Sequence, residues 1–228
     1  MEKLNTIQKF QNVGWEKPLE ILGFNKKMVL DNFKEKSVLD IGCGDGFLLK
    51  KLLEENNSIK TLGIDISPVA LEKAKENGIE CRLFDITERL PFEDNSFESV
   101  LLLDVLEHMF QPKPVLKEAA RTASKYVYIS VPNFVSFPAR LQVLFGKVPE
   151  NNTLRKGHIF WTTRKVIHSL IKDCGLEIEK EVFTTFWENK PLLGPIMKVL
   201  VKIKPELFTL AFAIKARKKY DANRKGRS

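Results

Sequence analysis

Val38-Leu39-Asp40-Ile41-Gly42-Cys43-Gly44-Asp45-Gly46 is an apolar run with one carboxylate that breaks into three glycines at alternate positions. The run over 37–41 has the length of a buried strand. The glycines predict a tight turn in which the backbone takes positive φ and lies close to a ligand. Phe47, Leu48, Leu49, Leu52 and Leu53 follow at the spacing of one helix face, over 46–55. A strand, a glycine turn and a helix in that order form a nucleotide-binding candidate, whereas a lone glycine trio would not.

Gly63-Ile64-Asp65-Ile66-Ser67 lies just beyond. Residues 60–64 read as a second strand, and Asp65 ends it 19 residues after Gly46. An acidic residue at that place in a doubly wound sheet accepts hydrogen bonds from ribose hydroxyls. Ser67, Pro68 and Gly78 punctuate the next helix as N-cap, first position and stop. Further strands are predicted over 79–84, 98–103, 125–131 and 176–183, with helices over 113–124 and 163–174. The apolar run 207–214 is read as a final antiparallel strand. The whole is an α/β chain, a Rossmann-like doubly wound sheet of about seven strands, mostly parallel, with helices on both faces.

The dinucleotide fingerprint G-x-G-x-x-G has its third glycine where this chain has Phe47. Asp40 also stands two places before the first glycine. A carboxylate there suits a ligand with a positive amine or sulfonium and disfavours a pyrophosphate. S-adenosylmethionine is therefore favoured over a nicotinamide dinucleotide.

The set resembles the class I S-adenosylmethionine-dependent methyltransferases. VLDIGCGDG is similar to their first motif and GIDIS to their second. Phe84-Asp85-Ile86 resembles the adenine-contacting element, and Leu103-Asp104-Val105-Leu106-Glu107-His108 the region after the fourth strand. The segment VPNFVSFPARLQVLFGKVP after the fifth strand resembles the MetW-like, type 11 subgroup. The likeness covers roughly 35–185. It implies that Gly42, Gly44 and Gly46 line the methionine part of the cofactor, with Cys43 as a small filler, and that Asp40 reaches its ammonium group. It implies that Asp65 holds the ribose hydroxyls, that Ile66 lies against adenine, that Asp85 bonds the adenine amine and that Ile86 belongs to the cofactor site. Asp104 belongs to the same cofactor wall. The product of the cofactor would be S-adenosylhomocysteine.

Methyl transfer from a sulfonium needs chiefly an aligned nucleophile, and a general base helps where the acceptor is a hydroxyl or amine. His108, Glu107 and Asp104 are the candidates, and His108 has the ordinary pKa for the task. His108 and Glu107 with Asp104 and the distant His158 also resemble the pattern by which ubiquinone-pathway O-methyltransferases and small-RNA 2′-O-methyltransferases hold a divalent metal. That set is an alternative reading; no metal is the expectation. His168 falls on the outer side of its helix and receives no role.

All 228 residues are read as one domain. It has an N-terminal helical cap over 1–33, a cofactor-binding core over 34–131, insertions over 132–161 and 184–206 that roof the active site, and a frayed basic tail over 215–228. The three cysteines are scattered, which excludes a disulfide framework or a thiolate zinc site. The opening MEKLNTIQKFQ lacks the apolar core of a secretion signal and no run is long enough to span a bilayer, so a cytoplasmic location is expected.

The net charge of +8 resides wholly in 191–228, where ten Lys and Arg meet two Asp and Glu. With the apolar roofs, that segment suggests peripheral contact with an anionic membrane at its inner face. The expected substrate is a small-molecule or lipid-linked acceptor with an O or N nucleophile. One alternative, implied by the MetW-like resemblance, is a non-catalytic partner of a homoserine O-acyltransferase in methionine biosynthesis. A second is an RNA methyltransferase, although no RNA-binding module is visible and no specific nucleic acid is expected. Nothing in the sequence specifies an oligomeric state.

Overall fold

The computed structural model describes residues 23–149, 157–188 and 190–219. The expected N-terminal cap is thus described only from residue 23, and 150–156, 189 and the 220–228 part of the tail lie outside the described residues.

Among the described residues, seven strands form one sheet: β1 (Ser37–Ile41), β2 (Lys60–Asp65), β3 (Cys81–Leu83), β4 (Phe97–Leu103), β5 (Ala123–Pro132), β6 (Leu176–Thr184) and β7 (Ala211–Lys218). Their order across the sheet is β3-β2-β1-β4-β5-β7-β6. β7 runs antiparallel to both β5 and β6, and the other pairings are parallel. The order reverses between β1 and β4. The carboxyl ends of these two strands therefore flank the crevice in which doubly wound sheets bind ligands.

The helices are α1 (Phe24–Asn32), α2 (Phe47–Glu55), α3 (Pro68–Glu76), α4 (Pro112–Thr122), α5 (Phe137–Leu144), α6 (Arg164–Asp173), α7 (Leu193–Ile203) and the short α8 (Pro205–Phe208), with a 3-10 turn at Leu106–His108. Strand alternation splits the core in two. Leu39 and Ile41 of β1, Val100 and Leu102 of β4 and Ile129 of β5 pack with Leu116 of α4 and Ile167 of α6. Val38, Leu101 and Tyr128 point the other way, against Val29 of α1, Leu49 of α2 and Leu71 of α3. Burial on both faces explains why these strands read as unbroken apolar runs. The helix signals act as expected: the Ser67 hydroxyl accepts from the Ala70 N–H, Thr163 caps α6 in the same way, and Gly78 and Gly175 carry positive φ at the helix ends.

Three expectations need correction. The final strand is Ala211–Lys218, later than 207–214, and the first residues of that run fall in α8 and its exit. The basic tail does not begin at 215, because Lys215 lies inside β7 and is buried. The third strand shrinks from 79–84 to three residues. The apolar period of LFTLAFAI suits helix and strand alike, and Pro205 at a helix first position decides the boundary.

Both insertions leave from the carboxyl edge of the sheet. Asn133 joins them: its N–H donates to Leu210 O at 2.8 Å, and its side chain donates to Glu206 O and Thr209 O at 2.8 and 2.7 Å. Among the described residues no helix is long and apolar enough to cross a membrane.

Candidate functional site

The glycine turn is held to β2 by Gly42 N–H and Cys43 N–H, both donating to Ile64 O. Gly42 has φ +76°, and a Cβ there would stand 2.7 Å from Val105 Cγ2. Substitution is therefore excluded on two grounds, backbone strain and space. Gly46 caps α2 in the left-handed region, against Ala74 and Ile79. Gly44 N–H donates to Asp65 Oδ2 at 2.9 Å, and Ser67 N–H donates to Asp65 Oδ1 at 2.8 Å. Turn and strand end thus orient one carboxylate. Cys43 fills the space that a side chain at Gly63 would take, and burial pushes its thiol far up, beyond nucleophilic use.

A cavity of about 630 Å³ opens above this turn. Asp40, Gly42, Cys43, Asp65, Ile66, Asp85, Ile86, Asp104 and His108 line it, which brings most of the predicted set into one place. Gly44 and Gly46 shape the turn behind that wall. Five carboxylates, those of Asp40, Asp45, Asp65, Asp85 and Asp104, face the cavity with Lys26. Burial raises the Asp40 carboxyl to about 7, opposed by the nearby Lys26 cation and reinforced by Asp65. Burial also raises Asp65, partly offset by its backbone N–H donors.

A second cavity of about 420 Å³ lies beside the first, and Asp104 and His108 line both. Phe24, Phe134, Gln142, Glu107 and His158 complete much of its wall. Asp104 stands at φ +56°; its Oδ1 accepts from Ser130 Oγ and its Oδ2 from Asn25 Nδ2 at 2.8 Å. His108 Nδ1 lies 3.2 Å from Gly157 O. A carbonyl only accepts, so Nδ1 carries the hydrogen and Nε2 keeps its lone pair. Desolvation lowers the His108 pKa, against the Gly157 carbonyl and Asp104. Glu107 is buried, and its Oε2 has no hydrogen-bond partner among the described residues. Burial and Asp104 push its carboxyl well above the usual range. Its backbone O accepts from Ile159 N–H and Phe160 N–H, which seats His158 beside His108, with ring centroids 5.0 Å apart.

Glu107, His108 and His158 offer ligand atoms within 4.8 Å of one another, three of the four residues in the alternative metal set. Asp104 is not in that group, and both its oxygens are already engaged. His168, given no role from sequence, joins Arg164 on Glu181, with Nε2 2.9 Å from Oε1. Residues not foreseen are Asn25 and Lys26 in the larger cavity and Ser130, which orients Asp104; Phe24, expected in the N-terminal cap over the cofactor, lines the smaller cavity.

Residues 32–190 match a family model described as "Methyltransferase domain". A tRNA U34 carboxymethyltransferase of Nautilia profundicola is 33% identical over 93 residues, 38% of this chain and 30% of that protein. A ubiquinone biosynthesis O-methyltransferase of Hahella chejuensis is 28% identical over 137 residues, 53% of this chain and 57% of that protein. The chain thus spans 30% and 57% of the length of these curated relatives. A crystal structure of magnesium protoporphyrin IX methyltransferase from Synechocystis PCC 6803 with bound SAH shares the fold. Its TM-score is 0.61 at 17% identity, over 95% of this chain and 86% of that one.

Proposed function

The chain belongs to the methyltransferase-domain family, within the class I S-adenosylmethionine-dependent superfamily, and on that premise we propose that it methylates an O or N nucleophile of a small-molecule or lipid-linked acceptor. The observation that carries this reading is the meeting of two cavities at Asp104 and His108, one suited to the cofactor and one to the acceptor.

The residues present fit the cofactor. The larger cavity has an acidic wall, which suits a ligand with cationic amine and sulfonium groups and not a pyrophosphate. Its floor is bare backbone at Gly42, where a Cβ would collide with Val105. S-adenosylmethionine, when bound, supplies an electrophilic methyl group on a sulfonium. Asp65 would take the ribose hydroxyls on the lone pairs that its backbone donors leave open. Ile66 and Ile86 would lie against adenine, Asp85 would meet its amine, and Asp40 would face the ammonium group. His108 Nε2 would accept the proton of the attacking hydroxyl or amine, with its tautomer set by Gly157. Phe24 and Phe134 give the acceptor cavity an apolar part beside its polar groups.

The test is calorimetric titration of S-adenosylmethionine and its demethylated product into wild type and Asp65→Ala, followed by transfer of a labelled methyl group into fractionated cell extract. Micromolar binding lost in the variant, with label in the lipid or small-molecule fraction, supports the proposal. Label in RNA would overturn the acceptor class. Binding without any turnover would bring forward the non-catalytic partner reading.

A further inference from the structure

α7 is apolar on two opposite faces. Gly194, Met197 and Val201 are buried against the domain, whereas Ile196, Val199 and Ile203 are 55%, 57% and 67% exposed. With Leu192 these exposed residues recur at steps of four, three and four, so they form one stripe along the helix. A surface helix normally turns polar residues outward, so a contiguous exposed apolar stripe marks an interaction face. Lys198 and Lys202 flank the stripe on one side and Lys204 on the other, and no Asp or Glu occurs between 190 and 205.

α5 repeats the pattern. Pro138, Ala139 and Gln142 line the smaller cavity, while Leu144 and Phe145 stand out at its far end, 76% and 73% exposed. Arg140 and Lys147 accompany them, again without an acidic residue between 134 and 148. The two segments adjoin: Phe137 at the start of α5 stacks on Phe186, which packs edge-on against Trp187 ahead of α7. Basic, apolar segments therefore meet beside the smaller cavity, whose wall α5 supplies in part.

We propose that α7 and the outer end of α5 form a docking face for an anionic lipid bilayer, which sets the smaller cavity at the membrane surface. Apolar side chains would enter the acyl boundary while lysines extend to anionic headgroups. A second copy of the chain fits poorly, since it would set two uniformly basic faces against each other. The docking face stands on these helices alone; only the identity of what enters the cavity rests on the acceptor reading above.

The experiment is flotation of the full chain with vesicles of phosphatidylcholine alone and of phosphatidylcholine mixed with phosphatidylglycerol. Binding is expected to the mixed vesicles and to fall steeply with salt. Lys198→Gln and Lys202→Gln should each weaken it roughly fivefold, and Ile196→Asp with Val199→Asp should abolish it. Cofactor titration on each variant reports folding, and the lysine variants keep the test open if the aspartate pair misfolds. No binding to mixed vesicles, or binding that none of these changes alters, overturns the docking face. So does a wild-type dimer in light scattering that the aspartate pair dissolves. Failed flotation with intact cofactor binding removes the docking face and leaves the proposed function standing. Flotation without cofactor binding does the converse.

Discussion

Asn25 and Asp104 are 79 residues apart in sequence and meet through a 2.8 Å hydrogen bond from the Asn25 amide to Asp104 Oδ2. The other Asp104 oxygen takes the Ser130 hydroxyl, so α1 and β5 together hold the carboxylate that faces both cavities. Asp104 sits at φ +56°, a conformation that Asp adopts more readily than most residues. Backbone and side chain are both committed, and the group is preorganised before any ligand arrives.

Asn25→Ala should expose that arrangement. A hydrogen bond to a charged group contributes about 1.5–3 kcal/mol, so kcat/KM is expected to fall about 10- to 100-fold. Steady-state kinetics with the cofactor varied, beside thermal melts, separate two roles. A lowered melting temperature with unchanged kcat/KM would make Asn25 a structural residue only.

The turn from Asp40 to Gly46, with Asp65, was legible because its chemistry is local. Strand, turn and helix follow one another in the chain, and only glycine fits the positive φ at Gly42 and Gly46. Asn25 and Ser130 carry no such mark, since each acquires its role from a partner dozens of residues away. His158 was visible only as a spacing, and its place beside His108 comes from the Glu107 carbonyl gripping Ile159 and Phe160. Lys215 was misread because lysine is rarely buried without a partner, and its partner, Glu35, lies at the opposite end of the described chain.

Cofactor binding should release a proton near neutral pH. The Asp40 carboxyl of the free protein is raised from 3.8 to about 7, so it is partly protonated there. A cationic ligand stabilises the carboxylate and expels that proton. Affinity should therefore rise as pH increases through this window, and calorimetry in buffers of different ionisation enthalpy should detect the release. In the unliganded protein the same shift works against folding, because the folded state holds the proton more tightly than the unfolded state. This loss of stability accumulates from the ordinary carboxylate range up to about pH 7. Asp40→Asn should abolish both the proton release and this part of the pH dependence.

His108→Ala should lower kcat by about 10²–10⁴-fold while leaving cofactor affinity within a few-fold of wild type. Desolvation holds the imidazole below its usual 6.5. A base must be deprotonated to act, so with the cofactor saturating, which removes the Asp40 dependence, the acidic limb of the kcat profile should fall below pH 6.5 and kcat should be level above it. A limb unchanged in His108→Ala would transfer the role to another group.

Lys215 connects the sheet to the site. Its ammonium group donates to Glu35 Oε1 and to Asn32 O, each at 3.2 Å, and lies 3.8 Å above the Tyr126 ring. Both Lys215 and Glu35 are buried. Asn32 ends α1, the helix that carries Asn25, so β7 anchors the element that orients Asp104. Lys215→Met should cost about 3–5 kcal/mol, because Glu35 is then left buried without its cation. Lys215→Met with Glu35→Leu should recover most of that loss, as apolar pairs commonly replace buried ion pairs at little cost. An exposed tail lysine would instead change stability by no more than about 0.5 kcal/mol. Denaturant unfolding of the two variants distinguishes these cases. If the anchor matters to the site, the single variant should also weaken cofactor binding under conditions where it remains folded.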